Sequence, residues 1–194
     1  MNNKAIPIFL ITLAYFLLPF VNILFALTAI ACMALPFIIL RITRKKTWCR
    51  GLCPRADFFT KLRPANIGFR QPKWFNLKKI AIIMLYYFGI NIFFITMSTI
   101  MVGLGRINPI DRIRLLIMFQ LPWELPQLFT IAAIPAPLLH LSYRFYSLML
   151  TSTLLGSILA VLFKPKTWCA VCPINSISEG MLSSMKRKEI ITNE

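Results

Sequence analysis

The chain has 194 residues, of which 58% are hydrophobic and only 14% are charged, and its mean hydropathy is +0.70. A soluble domain carries roughly 25% charged residues and could not bury so much apolar surface, so the composition excludes a soluble globule and predicts an integral membrane protein surrounded by lipid. The formal net charge of +16 would suggest a nucleic-acid partner in a soluble protein. Here the basic residues flank apolar runs, as the positive-inside rule describes, and no nucleic-acid partner is expected.

The first apolar run covers residues 5–40 and is followed by a basic block. A bilayer core takes about 20 helical residues, so this run is too long for one comfortable span and barely enough for two. Pro19 and Asn22 favour a break, and we predict two short helices, about 5–19 and 22–42, joined by a tight hairpin. No small-residue cleavage site precedes a polar segment, which argues against a cleaved signal peptide.

Two further spans are predicted in the second half of the chain. The run 80–104 follows basic residues, and the run 145–163 is free of charge and 19 residues long. The proline-rich segment 106–140 between them is predicted to form a cap on the far side of the membrane, with room for a re-entrant or interface-lying helix. The expected fold is therefore an all-α membrane protein with four transmembrane helices.

Lysine and arginine are distributed unevenly around these spans. Eighteen of the 22 lie at residue 4, in segment 41–79 or after residue 163, and the other four are Arg106, Arg112, Arg114 and Arg144. Basic residues concentrate on the cytoplasmic side of membrane proteins. Both termini and segment 41–79 are therefore expected to be cytoplasmic.

A cysteine motif occurs twice in the chain. Residues 46–54 read Lys-Thr-Trp-Cys-Arg-Gly-Leu-Cys-Pro, and residues 166–173 read Lys-Thr-Trp-Cys-Ala-Val-Cys-Pro. Each copy directly follows a predicted hairpin, which indicates a single membrane domain, 1–194, built by duplication, with repeat 1 at 5–62 and repeat 2 at 80–182. Because both hairpins start and end inside, an axis along the membrane normal should relate the repeats and bring both motifs to the same leaflet.

The motif cysteines Cys49, Cys53, Cys169 and Cys172 are expected to present four thiolates at one place. Structural disulfides are unusual in the reducing cytoplasm, and soft thiolate ligands suit zinc, copper(I) or an iron–sulfur cluster. An alternative is that these are buried cysteines in duplicated membrane-edge anchors, but two copies with the same flanking residues favour a shared ligand site. Cys32, alone in an apolar helix, is interpreted as a packing residue.

The residues around the motifs support a site for an anionic group. The proline after each motif fits the first turn of a helix, which predicts short interfacial helices at 56–62 and 175–182, with Cys53 and Cys172 as thiolates stabilised at helix N-termini. Positive charge is expected from Lys45, Lys46, Arg50, Lys164 and Lys166, and interfacial anchoring from Trp48 and Trp168.

The Cys-x3-Cys-Pro and Cys-x2-Cys-Pro motifs, each after a membrane hairpin, and the Asn-Pro pair at 108–109 resemble the NapH/NosR/CcoG class of membrane-bound iron–sulfur proteins. The resemblance covers about residues 22–185. The second motif has two residues between its cysteines where that class usually has three, and the ferredoxin-like tail typical of the class is absent. The resemblance implies a [4Fe–4S] cluster, with [2Fe–2S] left open. It also implies a prokaryotic inner membrane, and redox partner subunits that carry flavin or iron–sulfur clusters.

Two functions from different classes follow. The first is a non-catalytic electron-transfer subunit that holds one iron–sulfur cluster at the cytoplasmic face. It would relay electrons between a redox partner subunit and a quinone, flavin or extracytoplasmic acceptor. The second is a non-redox membrane protein whose four thiolates bind zinc or copper(I), for metal handling or as a structural staple. The sequence contains no catalytic triad, paired catalytic carboxylates or phosphate loop, so any chemistry must come from a cofactor.

Three polar residues lie close together before the last predicted span. His140, Tyr143 and Arg144 could form a site for a quinone head group or a flavin in the outer half of the membrane, since ionisable residues at membrane depth are often functional. The alternative is that they lie at the lipid–water boundary and extend their polar ends into water.

Overall fold

The computed structural model describes residues 8–68, 76–110, 112–115, 119–120, 126 and 134–192. Helices dominate these residues, as predicted, and in chain order they are α1 (Phe9–Val21), α2 (Thr28–Thr43), α3 (Pro54–Lys61), α4 (Leu77–Gly103), α5 (Ala136–Leu162), α6 (Thr167–Val171) and α7 (Pro173–Thr192). Short 3-10 segments cover Ile23–Leu27 and Arg63–Ala65, and a π-helical turn covers Trp48–Leu52. Two-residue strands, β1 (Arg114–Leu115) and β2 (Phe119–Gln120), pair antiparallel with Arg114 opposite Gln120.

Among the described residues, three helical stretches are long and apolar enough to cross a membrane: Ile23–Thr43, Leu77–Gly103 and Ala136–Leu162. Helix α1 is shorter. Its 13 residues extend about 20 Å, whereas a bilayer core is roughly 30 Å thick. The predicted count of four transmembrane helices is therefore not confirmed, because the first apolar run is divided into one short and one long helix.

The predicted break in the first apolar run is confirmed at Asn22. Its backbone is extended, and its side-chain Oδ1 accepts a hydrogen bond from the Leu24 N–H at 2.9 Å, which ends α1 and starts the next helical segment. Pro19, by contrast, lies inside α1.

The last long helix begins earlier than predicted. Helix α5 starts at Ala136, nine residues before the expected start at 145, so the prediction that residues up to 140 belong to an outer cap is wrong. Pro135 and Pro137 fall at the cap and in the first turn, where a missing N–H costs no helical hydrogen bond. The described residues between 106 and 135 contain no helix of the kind predicted for the cap.

Gly156 of α5 lies against one aromatic residue from each repeat. Phe59 of α3 and Trp168 of α6 are only 0% and 3% exposed, and both rings lie against Gly156. A Cβ atom at Gly156 would contact the Phe59 ring and lie 3.0 Å from the Trp168 ring. Small residues in apolar helices allow this close approach. Phe88 and Ile95 of α4 belong to the same core cluster, which positions both cysteine motifs against α5.

The chain after α3 is tied to the end of α5. Asn66 Nδ2 donates hydrogen bonds to the carbonyls of Ala160 (2.6 Å) and Phe163 (2.8 Å). The Ile67 N–H donates to the Val161 carbonyl at 2.9 Å. These bonds satisfy carbonyls that a helix C-terminus leaves without partners. Helix α3 is thereby held along the last turns of α5.

The beginning of α3 lies deeper along α5 than its end does. Arg55, two residues after Cys53, donates from Nη1 to Ser152 Oγ at 3.0 Å. Ser152 precedes the last residue of α5, Leu162, by ten positions, which is about 15 Å of helix rise. The side chain of Arg55, the residue after the first motif, therefore contacts the interior of a candidate span rather than its end.

Candidate metal centre

All four motif cysteines line one cavity of about 310 Å³. Cys49 comes from the π-helical turn, Cys53 from the residue before α3, Cys169 from α6 and Cys172 from the junction of α6 and α7. The lining is completed by Lys46, Trp48, Ala56, Ala170, Ile174 and Asn175. The four thiols are free, so the two motifs meet without a disulfide between them.

Each motif ends in a proline that starts a helix, as predicted. Pro54 is the first residue of α3, and Pro173 is the first residue of α7. A residue before proline is held away from helical conformation, and Cys53 (φ −74°, ψ 112°) and Cys172 (φ −63°, ψ 128°) share the same extended backbone. The two repeats therefore turn the chain in the same way at their second cysteines. Helix α7 continues to Thr192, well beyond the short helix predicted at 175–182.

One charged contact joins the first motif to the helix that follows the second. Lys46 Nζ donates to Glu179 Oε1 at 2.6 Å and lies 3.5 Å from Asn175 Oδ1. Such solvent-exposed ion pairs contribute at most about 1 kcal/mol. The contact therefore contributes little to stability, and its main effect is to hold the first motif beside α7 at the edge of the cavity.

Burial is the main influence on the pKa values of Cys49, Cys169 and Cys172. Burial first, and then the neighbouring thiols, raise the pKa of Cys169 to about 11 and also raise the pKa of Cys49. The N–H groups of Ile174 and Asn175 at the start of α7 lower the pKa of Cys172, as expected at a helix N-terminus, but burial outweighs them. The predicted stabilisation of the Cys172 thiolate by the helix N-terminus is therefore present, but the opposing effect of burial on the pKa is larger. Binding of a thiolate-ligated group must release protons from these thiols.

The donor set and the size of the cavity fit a multi-atom group. Four cysteine thiolates are the usual ligands of iron–sulfur clusters and also bind zinc or copper(I). In the described part of the chain, no three His, Cys, Asp or Glu side chains lie close enough together to hold one metal ion. A single ion, with Zn–S bonds of about 2.3 Å, would require the thiols to converge. The cavity of about 310 Å³ is many times larger than the space, on the order of 15 Å³, that holds one water molecule.

Only some of the other residues predicted around the site line the cavity. Lys46 and Trp48 line the cavity, Lys45, Lys164 and Lys166 are exposed, and the side chain of Arg50 lies outside the described part. The prediction of Trp168 as an interfacial anchor is wrong, because the space over Gly156 lets its ring pack in the core. Cys32 is half-buried in α2 and is not part of the cavity lining, in line with the predicted packing role.

Sequence reasoning missed two residues that join the motif regions to α5. Gly156, with serines at 152 and 157, forms a small-residue patch in an apolar helix, a pattern that favours close helix packing. Arg55 is a cation directly after Cys-Pro, where the second motif has the neutral Ile174. Either pattern could have been noticed, but neither identifies the contact that the residue makes.

The polar residues near the start of α5 are part of the packing. His140 is 1% exposed; its Nδ1 accepts from the Ile110 N–H at 3.1 Å and its Nε2 is 2.9 Å from Ser98 Oγ. Tyr143 is 6% exposed, so both side chains are buried in the protein rather than extended into water. Arg144 borders a cavity of about 20 Å³, which is room for one water molecule and not for a quinone or flavin ring.

Comparison with protein-family models, with curated proteins and with solved structures finds no match to this chain. The resemblance to the NapH/NosR/CcoG class therefore remains a prediction from the two cysteine motifs and the Asn-Pro pair.

Proposed function

We propose that this protein is a membrane electron-transfer subunit that binds one iron–sulfur cluster through Cys49, Cys53, Cys169 and Cys172. The observation that carries the proposal is the single cavity lined by all four thiols. A cluster bound there would accept and release one electron at a time. The residues of this chain would supply its four ligands and an apolar surround that includes Trp48. The [4Fe–4S] form is preferred on the resemblance alone.

The absorption spectrum of the anaerobically purified protein tests this function. We expect a brown protein with a broad visible band that bleaches on reduction, because iron–sulfur charge-transfer bands depend on oxidation state. A colourless protein that retains zinc or copper(I) would support the non-redox function instead. Serine variants of the cavity cysteines serve as matched controls, since loss of the band must follow loss of a ligand.

We propose that the protein lies in the inner membrane of a prokaryote, with both termini and segment 41–79 in the cytoplasm. The eighteen-to-four distribution of lysine and arginine supports this orientation. Helices α4 and α5 then form one hairpin across the membrane. The short α1 would enter the membrane from the cytoplasm without crossing it. The stretch Ile23–Thr43 would lead the chain back to the cytoplasmic side, where both cysteine motifs would lie.

Reporter fusions test this orientation. A reporter that is active only in the cytoplasm should be active when it is fused after residue 65 or at the C-terminus. A reporter that is active only outside should be active near residue 110. Activity of the second reporter at residue 65 would contradict the proposal, because the first motif would then face the opposite side from the second.

We also propose that the subunit works with redox partners. One centre beside the cytoplasmic half of α5 cannot by itself carry electrons across a hydrocarbon core of roughly 30 Å. A partner subunit carrying flavin or an iron–sulfur cluster would exchange electrons with it, and a quinone, flavin or extracytoplasmic group would be the other partner. The exposed Arg41, Arg44 and Lys45 precede the cavity and would attract an acidic carrier as well as anionic lipid.

A further inference from the structure

The chain that follows α4 returns along α5 toward the middle of that helix. The Ile110 N–H donates to His140 Nδ1 at 3.1 Å, and the Arg114 N–H donates to Ser147 Oγ at 3.1 Å. Ser147 is eleven residues after Ala136, the first residue of α5, which corresponds to about 16 Å of helix rise. Strand β1 therefore lies beside the interior of a candidate span and brings Arg114 to that depth.

A small cavity lies where β1 meets α4 and α5. Its volume is about 20 Å³, and it is lined by two arginines from different elements, Arg114 of β1 and Arg144 of α5. The other lining residues are Tyr87, Asn91, Ile95, Ser147, Leu148 and Thr151. Asn91, Ser147 and Thr151 are at most 7% exposed. The cavity therefore has a polar and basic wall between two helices that are long enough to span a membrane.

The wall of this cavity contains a buried hydrogen-bond donor that lacks an acceptor. Among the described residues, Arg144 Nε has no hydrogen-bond partner. The Ser147 hydroxyl donates to the Tyr143 carbonyl and the Thr151 hydroxyl to the Ser147 carbonyl, both at 2.8 Å. No aspartate or glutamate of the described chain lines the cavity. A buried donor of this kind indicates a bound water or ion.

We propose that this cavity binds one monatomic anion of the halide class, such as chloride, between Arg114 and Arg144. Its volume exceeds the roughly 15 Å³ that one water molecule needs, and a halide ion is only slightly larger than water. A hydrogen bond from a guanidinium group to an anion is about twice as strong as one between neutral groups. An anion, unlike water, also offsets the repulsion between two like charges where the dielectric constant is low.

The bound anion would connect β1 to α4 and α5 and hold the returning segment at depth. Ionisable residues at membrane depth usually bind a partner or line a path for ions, and the anion is such a partner for Arg144. The site is separate from the thiol cavity, since the two cavities share no lining residue. The proposal does not rest on the proposed function.

Equilibrium binding of radioactive chloride to the full chain in detergent tests this site, with gluconate as the background anion. Wild type should bind one chloride per chain with a saturable isotherm. Arg144→Gln should bind chloride about tenfold more weakly or worse, because it removes a charged donor from the cavity wall. Arg106→Gln is the matched control and should bind like wild type, because Arg106 is exposed and does not line the cavity.

A second pair of variants keeps both arginines. Asn91→Asp would place a carboxylate in the cavity wall as a permanent anion, so it should abolish chloride binding, whereas Asn91→Leu adds no charge and should retain it. At equal ionic strength, wild type and Asn91→Leu should unfold at a higher temperature in chloride than in gluconate, because a bound ligand stabilises the folded state. Asn91→Asp should unfold at the same temperature in both salts.

Absence of saturable chloride binding to wild type, with equal unfolding temperatures in the two salts, would overturn the proposal, because the cavity would then hold only water. An equal loss of binding in Arg106→Gln and Arg144→Gln would also overturn it, since chloride would then be attracted by overall charge. If Arg144→Gln fails to fold, binding to wild type and to the two Asn91 variants decides the outcome.

Discussion

Replacement of a single cavity cysteine by serine is expected to remove most of the iron from the purified protein. The loss should be similar in all four variants, at Cys49, Cys53, Cys169 and Cys172. The reason is geometric: the four thiols line one cavity, so each variant removes a ligand from the same group. Serine is close to cysteine in size, so packing around the cavity should change little. Iron per chain, measured after gentle purification and normalised to folded protein, provides the comparison.

Cys32→Ser is the matched control for this series. Cys32 is half-buried in α2 and is not part of the cavity lining, so its replacement should leave the iron content at the wild-type value. A double variant of Cys49 and Cys53 distinguishes one shared centre from two separate ones. Retention of half the iron in that double variant would mean that each motif holds its own metal, and the shared centre would be ruled out.

Gly156→Ala is expected to destabilise the protein and to reduce its iron content together. The added methyl group would enter the space occupied by the buried Phe59 ring and lie 3.0 Å from the Trp168 ring, and an aromatic ring held in a core cannot rotate away freely. Overpacking of this kind typically costs about 1–3 kcal/mol. Phe59 follows the first motif and Trp168 precedes Cys169, so both halves of the site should shift. Thermal unfolding in detergent and iron content measure the two effects.

Gly89→Ala in α4 is the control for Gly156→Ala. A Cβ atom at Gly89 meets nothing within 4 Å, and alanine favours a helix over glycine by roughly 1 kcal/mol, so this variant should be at least as stable as wild type. Equal stability and iron content in Gly156→Ala and wild type would show that the two motifs do not depend on this packing.

The meeting of the two motifs was predictable because it follows from local patterns. The repeated Lys-Thr-Trp-Cys segment, the proline after each second cysteine and the break at Asn22 all lie within short stretches, and the structure agrees with each. Predicting that the motifs meet does not require knowing which side chains touch. It requires only the assumption that both hairpins return to the same side of the membrane.

The start of α5 and the core position of Trp168 could not be predicted, because they depend on contacts between residues that are distant in sequence. The span was predicted at 145–163 because that run is free of charge, and residues up to 140 were assigned to the cap. His140 is instead buried in α5, and its ring nitrogens are satisfied by Ser98, which lies 42 positions away, and by the Ile110 N–H. Those hydrogen bonds offset the cost of burying the imidazole, so α5 extends over the whole segment. Trp168 was misjudged for a similar reason, because its core position depends on the space above Gly156.

The most direct test of the shared redox centre is a metal and sulfide analysis of the anaerobically purified full chain, combined with electron paramagnetic resonance of the same sample. We expect iron and acid-labile sulfide in equal amounts, and a paramagnetic signal that changes reversibly on reduction. We also expect the iron and the signal to be lost together when any cavity cysteine is replaced. Zinc or copper bound without sulfide, in protein that shows no signal on reduction, would contradict a shared redox centre.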